Sequence, residues 1–157
     1  MKYNIRKMQP SEYFLLNDFL YNAIFIPQGI TPPPKNIIEN KDLQVYVKDF
    51  GKQKDDIALL AEVDGKIVGA VWTRIMDDYG HIDNDTPSLA ISLYKEYRGY
   101  GIGTDLMRNM LLQLKQGGYK RVSLSVQKAN YAVKMYKKVG FQIIEENLEE
   151  YLMVCKL

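Results

Sequence analysis

Hydrophobic and polar residues alternate in several short segments of this chain, and a period of two is typical of β-strands with one buried face. The clearest segment is Ser88–Leu93, in which Leu89, Ile91 and Leu93 occupy every second position. Further strands are expected around Val122, Leu124 and Val126, and at residues 3–7, 142–146 and 151–156. Short strands are therefore expected at intervals from the N-terminal to the C-terminal part of the chain.

A hairpin of two strands is predicted at residues 57–72. Ile57–Val63 and residues 66–72 are apolar runs, and Asp64 and Gly65 separate them. Asp-Gly is a preferred two-residue hairpin turn because both positions tolerate positive φ. The first run is apolar on both faces, so we expect a strand in the interior of a sheet rather than at its edge.

Apolar residues spaced three and four apart predict helices in four other segments. The first helix begins at Pro10 and carries the apolar residues Phe14, Leu15, Phe19 and Leu20, and a second, weakly periodic helix covers residues 37–50. The other two helices are strongly periodic, and each ends at a glycine. Their apolar positions are Leu106, Met107, Met110, Leu111 and Leu114 before Gly117, and Ala132, Met135, Tyr136 and Val139 before Gly140.

The order of these elements predicts an α+β domain with a mixed central sheet. Two strand–helix–strand passages in the C-terminal half favour parallel pairing there. The proline-rich residues 27–34 interrupt regular structure, and they form either a plain connector or a stiff rim over a pocket.

Composition is typical of one globular domain, expected to span residues 1–157. The 157 residues are 46% hydrophobic and 25% charged, which is enough for a substantial core. A net charge of only +2 argues against a nucleic-acid partner. No apolar run approaches the roughly 20 residues of a membrane span, and the first residues lack a signal peptide's apolar stretch. A cytoplasmic protein without a membrane partner is therefore expected.

The chain has few residues that could bind a soft metal ion. It contains one cysteine, Cys155, and one histidine, His81. A single cysteine excludes an internal disulfide, and together the two counts argue against a His/Cys metal site, so no metal cofactor is expected. Cys155 alternates with apolar neighbours, and we interpret it as a core residue.

A glycine-rich run between a predicted strand and a predicted helix is the strongest candidate for chemistry. The run Tyr97–Thr104 has three glycines in five residues, at Gly99, Gly101 and Gly103. Glycines free the backbone to turn successive N–H groups toward one point, and the following helix adds its unpaired first-turn amides. A phosphate or diphosphate would suit that place, although a tight turn that binds nothing has the same glycines.

Two nucleotide-binding motifs resemble this run and do not match it. A P-loop ends in Gly-Lys-Ser/Thr, which is missing here. The dinucleotide fingerprint needs glycines at its first, third and sixth positions, whereas here they fall at 99, 101 and 103.

Two motifs together resemble the GNAT superfamily of N-acetyltransferases. Residues 98–103, Arg-Gly-Tyr-Gly-Ile-Gly, match that family's Gln/Arg-x-x-Gly-x-Gly/Ala loop, in the family's order after a strand and before a helix. Residues 132–141, AVKMYKKVGF, match its second landmark, an Ala, a Tyr and a Gly-Phe pair. Lys95 stands where the family often has proline. The resemblance implies a mixed sheet of about six or seven strands flanked by about four helices.

The resemblance also implies an enzyme that binds acetyl-coenzyme A and transfers its acetyl group to an amine by direct attack. By matching positions, the coenzyme diphosphate is held by the backbone amides of Arg98, Gly99, Tyr100, Gly101, Ile102, Gly103 and Thr104. The pantetheine arm pairs with the strand backbone of Ile91, Ser92 and Leu93. The thioester carbonyl lies near the Leu93 amide, which stabilises charge on its oxygen.

Two side chains are carried over from the family as well. Tyr136 stands at the tyrosine position, so it would protonate the leaving thiolate or hydrogen-bond its sulfur, or it is one apolar member of its helix. The family's coenzyme-contacting Asn lies seven residues before that Tyr, where this chain has Ala129, and Asn130 lies one residue later. Asn130 is therefore either a pantetheine contact or only a helix cap.

The sequence does not identify the general base that an amine substrate needs. Asp77, Asp78, Asp83 and Asp85 crowd one connection with His81, and they form either a solvated turn or a wall that attracts a cation. A non-catalytic acyl-coenzyme A sensor on the same fold and a nucleotide-phosphate module are the alternatives to an enzyme. The expected partners are acetyl-coenzyme A and an amine acceptor, with a homodimer left open.

Overall fold

Seven strands form one sheet in the computed structural model, which describes all 157 residues, and four α-helices flank the sheet. The strands are β1 (Asn4–Lys7), β2 (Ile57–Val63), β3 (Lys66–Arg74), β4 (Ser88–Leu93), β5 (Arg121–Gln127), β6 (Gln142–Glu146) and β7 (Glu150–Lys156). The helices are α1 (Leu16–Ala23), α2 (Lys41–Gln44), α3 (Ile102–Gln116) and α4 (Ala132–Val139). The predicted fold class is confirmed.

The strands lie in the order β1-β2-β3-β4-β5-β7-β6. Every neighbouring pair is antiparallel except β4 and β5, which are parallel. The passage from β4 through α3 to β5 accounts for this pair, because a helix returns the chain to the same edge. The predicted parallel pairing is therefore found at one place, in the middle of the sheet.

The parallel pair β4–β5 holds together only at its first residues. Ser88 and Ser123 are the one residue pair in register, although β4 continues to Leu93 and β5 continues to Gln127. The two strands diverge beyond that pair. The sheet therefore has an opening at its centre, between the C-terminal halves of two adjacent strands.

Two hydrophobic cores cover opposite faces of the sheet. The larger packs α3 residues such as Met110 against Leu89 of β4 and Leu124 of β5. The smaller packs Phe19 of α1 against Trp72 of β3. Both faces of the central strands are therefore buried, as the long apolar runs of β2 and β3 require.

The predicted hairpin is present with the expected turn. Asp64 has a φ of 50° and Gly65 a φ of 79°, as a hairpin turn with two positive φ values demands. Ile57–Val63 pairs with β1 on one edge and β3 on the other. The expectation of an interior strand is confirmed.

The first helix is less regular than predicted. Pro10–Leu15 is a 3₁₀ helix, which Glu12 stabilises by accepting a hydrogen bond from the Gln9 amide (2.8 Å), and α1 begins only at Leu16. With three residues per turn, the apolar stripe shifts around the axis. Phe14, expected on the buried face, is consequently 69% exposed.

The helix predicted at residues 37–50 is wrong in its extent. Lys35–Glu39 is a 3₁₀ helix, Asn40 is extended with a ψ of 137°, and α2 is only four residues long. Hydrogen-bonded turns at residues 45–51 replace the rest of the helix, and within them Asp49 has a φ of 53°.

Side chains of β3 bind the carbonyls that would have continued that helix. Arg74 donates to the carbonyls of Val45 (3.1 Å) and Lys48 (2.9 Å), and the Trp72 indole donates to that of Tyr46 (3.0 Å). Contacts between distant parts of the chain thus override a weak local preference.

The interpretation of Cys155 as a core residue is confirmed, because it is buried at 5% exposure. Phe141 is buried as well, at 2%. None of the helices combines the length and the apolar character needed to cross a membrane.

Candidate functional site

The divergence of β4 and β5 leaves a cleft of about 280 Å³ in the middle of the sheet. Residues from both faces line it, since Tyr136 belongs to the core beneath α3 and α4, whereas Leu20 and Tyr46 belong to the core beneath α1. A cleft open to both faces allows two ligands to meet from opposite sides of the sheet.

Two backbone amides of β4 point to the edge that diverges from β5, and one of them belongs to Ile91, which lines the cleft. The Tyr94 amide donates to the Val68 carbonyl of β3 (2.9 Å), and amides of a strand point alternately to its two edges. The amides of Ile91 and Leu93 therefore point away from β3, toward β5. Because β5 is in register with β4 only at Ser88, it gives them no partner. Ile91 and Leu93 thus offer free hydrogen-bond donors along the diverging edge of β4.

Ser92 lies between these two residues and faces the other way. The same alternation turns its amide toward β3. Its hydroxyl is buried without a hydrogen-bond partner, on the face of the sheet that α1 covers. Of the three strand residues predicted to meet a ligand, two therefore present an amide to the diverging edge of β4.

The glycine-rich loop presents a series of free amides. The first hydrogen bond of α3 runs from the Asp105 amide to the Gly101 carbonyl (3.1 Å), and the amides of residues 99–104 donate to no group in the protein. Gly99 and Gly101 both have a φ of 86°, and a Cβ at either position would meet no atom within 4 Å. The loop is therefore an open cradle of donors at the positive end of a 15-residue helix.

Arg98 begins this loop but contributes differently. Its amide donates to the Lys95 carbonyl (3.2 Å), so the free amides start at Gly99. Its guanidinium Nε donates to the Leu93 carbonyl (3.2 Å), which fixes the loop against the end of β4. A positive charge consequently lies between the cradle and the strand that leads to it.

Tyr136 on α4 lines the cleft and is 8% exposed. Its ring packs on Phe141 at a centroid distance of 6.1 Å, while its hydroxyl makes no hydrogen bond within the protein. Burial is the main cause that raises the pKa of this phenol well above its ordinary value, and the charge of Tyr131 adds to it. Tyr136 is therefore protonated at neutral pH and free to donate to a ligand.

Asn130 both caps α4 and lines the cleft. Its side-chain oxygen accepts a hydrogen bond from the Ala132 amide (2.9 Å), and the residue belongs to the lining of the cleft. Its side-chain nitrogen donates to no group in the protein. The two alternatives for Asn130 are therefore compatible, because each uses a different atom.

Carboxylates are found on the opposite face of the cleft. Asp78 accepts hydrogen bonds from the hydroxyls of Tyr46 (2.9 Å) and Ser88 (3.2 Å), and burial raises the pKa of its carboxyl. Glu150 lines the cleft, and burial followed by the charges of Glu149 and Asp78 raises its pKa. The side of the cleft that α1 covers is therefore acidic.

The other acidic residues of the connection before β4 lie elsewhere. Asp83 pairs with Arg121 at 2.6 Å, and this pairing lowers the pKa of Asp83 to about 2. Asp77 and Asp85 are exposed. Asp78 alone among the four is therefore tied to a residue that lines the cleft.

Glu150 and Tyr46 were not singled out from the sequence. Glu150 lies opposite Gln127 in the pairing of β7 with β5, and this register brings it to the cleft. Tyr46 lies in the turns that replaced a predicted helix. No local motif marks either residue, because both reach the site through contacts between distant segments.

Metal chemistry has no obvious ligand set in this structure. No group of three or more His, Cys, Asp or Glu side chains is arranged to hold a metal ion.

Comparisons with known proteins agree with this geometry. The model of the acetyltransferase (GNAT) family matches residues 24–141. An N-alpha-acetyltransferase of Sulfurisphaera tokodaii is 29% identical over 135 residues, which cover 76% of this chain and 80% of that protein. A probable N-acetyltransferase of Xenopus tropicalis, camello, is 30% identical over 105 residues, which cover 65% of this chain and 46% of that protein, so the match spans less than half of that relative.

Solved structures share the fold, and one of them was determined with a coenzyme. PaiA N-acetyltransferase from Thermoplasma acidophilum, crystallised in complex with coenzyme A, superposes with a TM-score of 0.73 at 20% identity. The superposition covers 100% of both chains. This chain thus shares its overall fold with a solved N-acetyltransferase.

Proposed function

Because the chain belongs to the acetyltransferase (GNAT) family and is an N-acetyltransferase, we propose that it transfers the acetyl group of acetyl-coenzyme A directly to a primary amine, carried by a small molecule or a protein. The observation that carries the proposal is the line of free amides from the cradle at residues 99–104 to the diverging edge of β4. We further propose that the strands from β1 to β7 act as one acetyltransferase domain, since they share one sheet.

The cradle suits the diphosphate of the coenzyme. Its amides are unpaired, the space in front of Gly99 and Gly101 is open, and the N-terminal end of α3 favours negative charge. The predicted binding residues Tyr100, Ile102, Gly103 and Thr104 contribute through their backbone amides. Arg98 adds its positive charge beside the cradle.

The edge of β4 suits the pantetheine arm. An extended chain with amide groups can pair with an exposed strand edge as another strand would. The free amides of Ile91 and Leu93 supply that edge, and Asn130 adds a side-chain donor from the opposite wall of the cleft. The Leu93 amide would then donate to the thioester oxygen, on which negative charge develops during attack.

Tyr136 is the proposed acid. When the amine nitrogen attacks the carbonyl carbon, the carbon–sulfur bond breaks and sulfur leaves with the bonding electrons. A phenol kept protonated by burial can give its proton to that thiolate. Its unpaired hydroxyl supports an enzyme over a protein that only binds acyl-coenzyme A, since binding alone needs no proton donor.

Calorimetric titration and thiol release test this function. We expect acetyl-coenzyme A to bind much more tightly than ATP, and coenzyme A thiol to appear only when a primary amine is added. Binding without thiol release on any amine would favour the sensor. ATP binding as strong as that of acetyl-coenzyme A would favour the nucleotide-phosphate module and contradict the proposal.

A further inference from the structure

The proposed position of the acetyl donor occupies only one half of the cleft. The other half lies on the face of the sheet that α1 covers, and no ligand has been assigned to it so far. Leu124 and Val126 of β5 face the core beneath α3 and α4, so the alternation of a strand places Ser125 and Gln127 on the opposite face. Glu150 is paired with Gln127 and shares that face. Glu150 therefore approaches the cleft from the side opposite Tyr136.

The Glu150 carboxylate has no partner. It makes no hydrogen bond or ion pair within the protein, although the residue is only partly exposed and lines the cleft. Asp78, held by the Tyr46 hydroxyl at 2.9 Å, adds a second negative charge behind Tyr46. No Lys, Arg or His lines the cleft. This half of the cleft thus has uncompensated negative charge.

A second polar group is directed into the same cleft. The Tyr136 side chain is more than nine-tenths buried, lines the cleft and leaves its hydroxyl unpaired. A hydroxyl without a partner on one side of the cleft and a carboxylate without a cation on the other side are placed to bind one ligand between them.

The helical walls of this half are apolar. The C-terminal end of α1 and the segment after it provide one wall, and α2 provides another, with the side chains of Leu20, Ala23, Ile24, Phe25 and Leu43. A ligand that fits such a surface has one positive charge next to an apolar group, because further charges would be desolvated against apolar side chains.

We propose that this half of the cleft is the acceptor subsite, that it takes a primary amine carried on an apolar group and without an adjacent carboxylate, and that Glu150 removes the first proton from its ammonium ion. The proposal rests on the acetyl transfer proposed above. The lone pair of the neutral amine nitrogen then attacks the thioester carbonyl carbon, so that the C–N bond forms as the C–S bond breaks.

The protons balance in this scheme. An ammonium ion loses two protons when it becomes an amide. The first passes to Glu150 and on to solvent. The second leaves the nitrogen as the thiolate departs. It passes to the tyrosinate that forms when Tyr136 gives its proton to sulfur, and this restores the phenol. A carboxylate whose pKa is raised by burial and by Asp78 is a better base than an exposed one.

Glu150→Gln tests the assignment, and Glu145→Gln is its matched control. Glutamine keeps the size and removes the base, while Glu145 on β6 is exposed and outside the cleft. We expect Glu150→Gln to lower kcat/KM for the amine by about 100-fold or more and to bind acetyl-coenzyme A as tightly as the wild type. Glu145→Gln should stay within about threefold of the wild type. Wild-type turnover in a Glu150→Gln protein that binds acetyl-coenzyme A would overturn the role of Glu150.

Three acceptors test the substrate class. Phenylethylamine has the charge and the apolar group, phenylalanine adds a carboxylate, and ethylamine lacks the ring. We expect phenylethylamine to exceed both others in kcat/KM by about tenfold or more, since one like-charge contact or one buried apolar group is worth at least that. Equal or reversed preference, or no turnover of phenylethylamine by a protein that binds acetyl-coenzyme A, would overturn the substrate class. Failure to bind acetyl-coenzyme A would contradict the acetyl transfer itself.

Discussion

Several polar groups at the cleft and the diverging edge of β4 have no hydrogen-bond or ion-pair partner within the protein. The amides of Ile91 and Leu93 face a strand that has turned away, the Tyr136 hydroxyl is unpaired on a residue that is 8% exposed, and the Glu150 carboxylate has no cation. None of these groups gains a hydrogen bond from the fold, so their positions add nothing to its stability. Their convergence is what the proposed ligand site requires.

Tyr136→Phe should separate binding from chemistry. The ring keeps its packing on Phe141, and only the hydroxyl is lost. We expect acetyl-coenzyme A affinity to stay near that of the wild type and kcat to fall by about 10- to 100-fold, as for loss of a positioned acid. Tyr13→Phe is the control, because the Tyr13 hydroxyl makes no hydrogen bond and lies outside the cleft. An unchanged kcat in Tyr136→Phe would remove this residue from the chemistry.

Gly101→Asp should abolish binding of acetyl-coenzyme A. The new side chain enters the open space before the cradle and brings a negative charge to a phosphate site. Gly65→Asp is a matched control, because Gly65 also has a positive φ, 79°, and open space around it, but lies in the β2–β3 turn. Calorimetry on both variants, each checked for folding by circular dichroism, measures the effect. If Gly101→Asp is folded and binds normally, the cradle is misplaced.

Among the elements, the turns at residues 45–50 are the clearest case of structure imposed from outside. Arg74 of β3 donates to Asp56 through two nitrogens, at 3.2 and 3.1 Å, and to two backbone carbonyls of this segment. Its side chain is 6% exposed and that of Asp56 is fully buried. This pair holds the segment that brings Tyr46 to the cleft.

Asp56→Asn should therefore destabilise the protein strongly. It leaves the Arg74 guanidinium buried without its counter-charge, which costs about 3–5 kcal/mol of unfolding free energy. Asp49→Asn removes the carboxylate of an exposed pair with Lys52 and should cost about 0–1 kcal/mol. Urea denaturation of the two variants and the wild type measures these differences in the free energy of unfolding. Equal stability of the two variants would mean that the buried pair does not hold the segment.

For the molecule as a whole, local patterns predicted most elements but not how they come together. Alternation located Ser88–Leu93, and the Asp64–Gly65 turn located the hairpin, because each signal lies within a few residues. The divergence of β4 from β5 depends on the register between two strands that are far apart in the sequence, and no local pattern encodes that register. The placement of Glu150 depends likewise on the pairing of β7 with β5. The donor side of the site could thus be predicted from motifs, and the acceptor side could not.

The stability of the whole protein should fall in acid. The Arg6 guanidinium and the Gln9 amide hold the pKa of Glu12 at about 2, below the value of about 4.3 in an unfolded chain. The ionised carboxylate therefore stabilises the fold above about pH 4.3, and this stabilisation is lost as the pH falls toward 2. Thermal melts should show Glu12→Gln less stable than the wild type at pH 6 and nearly equal to it at pH 2. A constant difference across that range would contradict the pairing.

The central claim is that acetyl-coenzyme A lies along the diverging edge of β4 with its diphosphate in the cradle. Amide-resolved NMR titration of the protein with acetyl-coenzyme A tests it most directly. The account predicts that the largest shifts fall on the amides of residues 99–104 and on those of Ile91 and Leu93. Saturable shifts confined to other segments, with these amides unmoved, would contradict it.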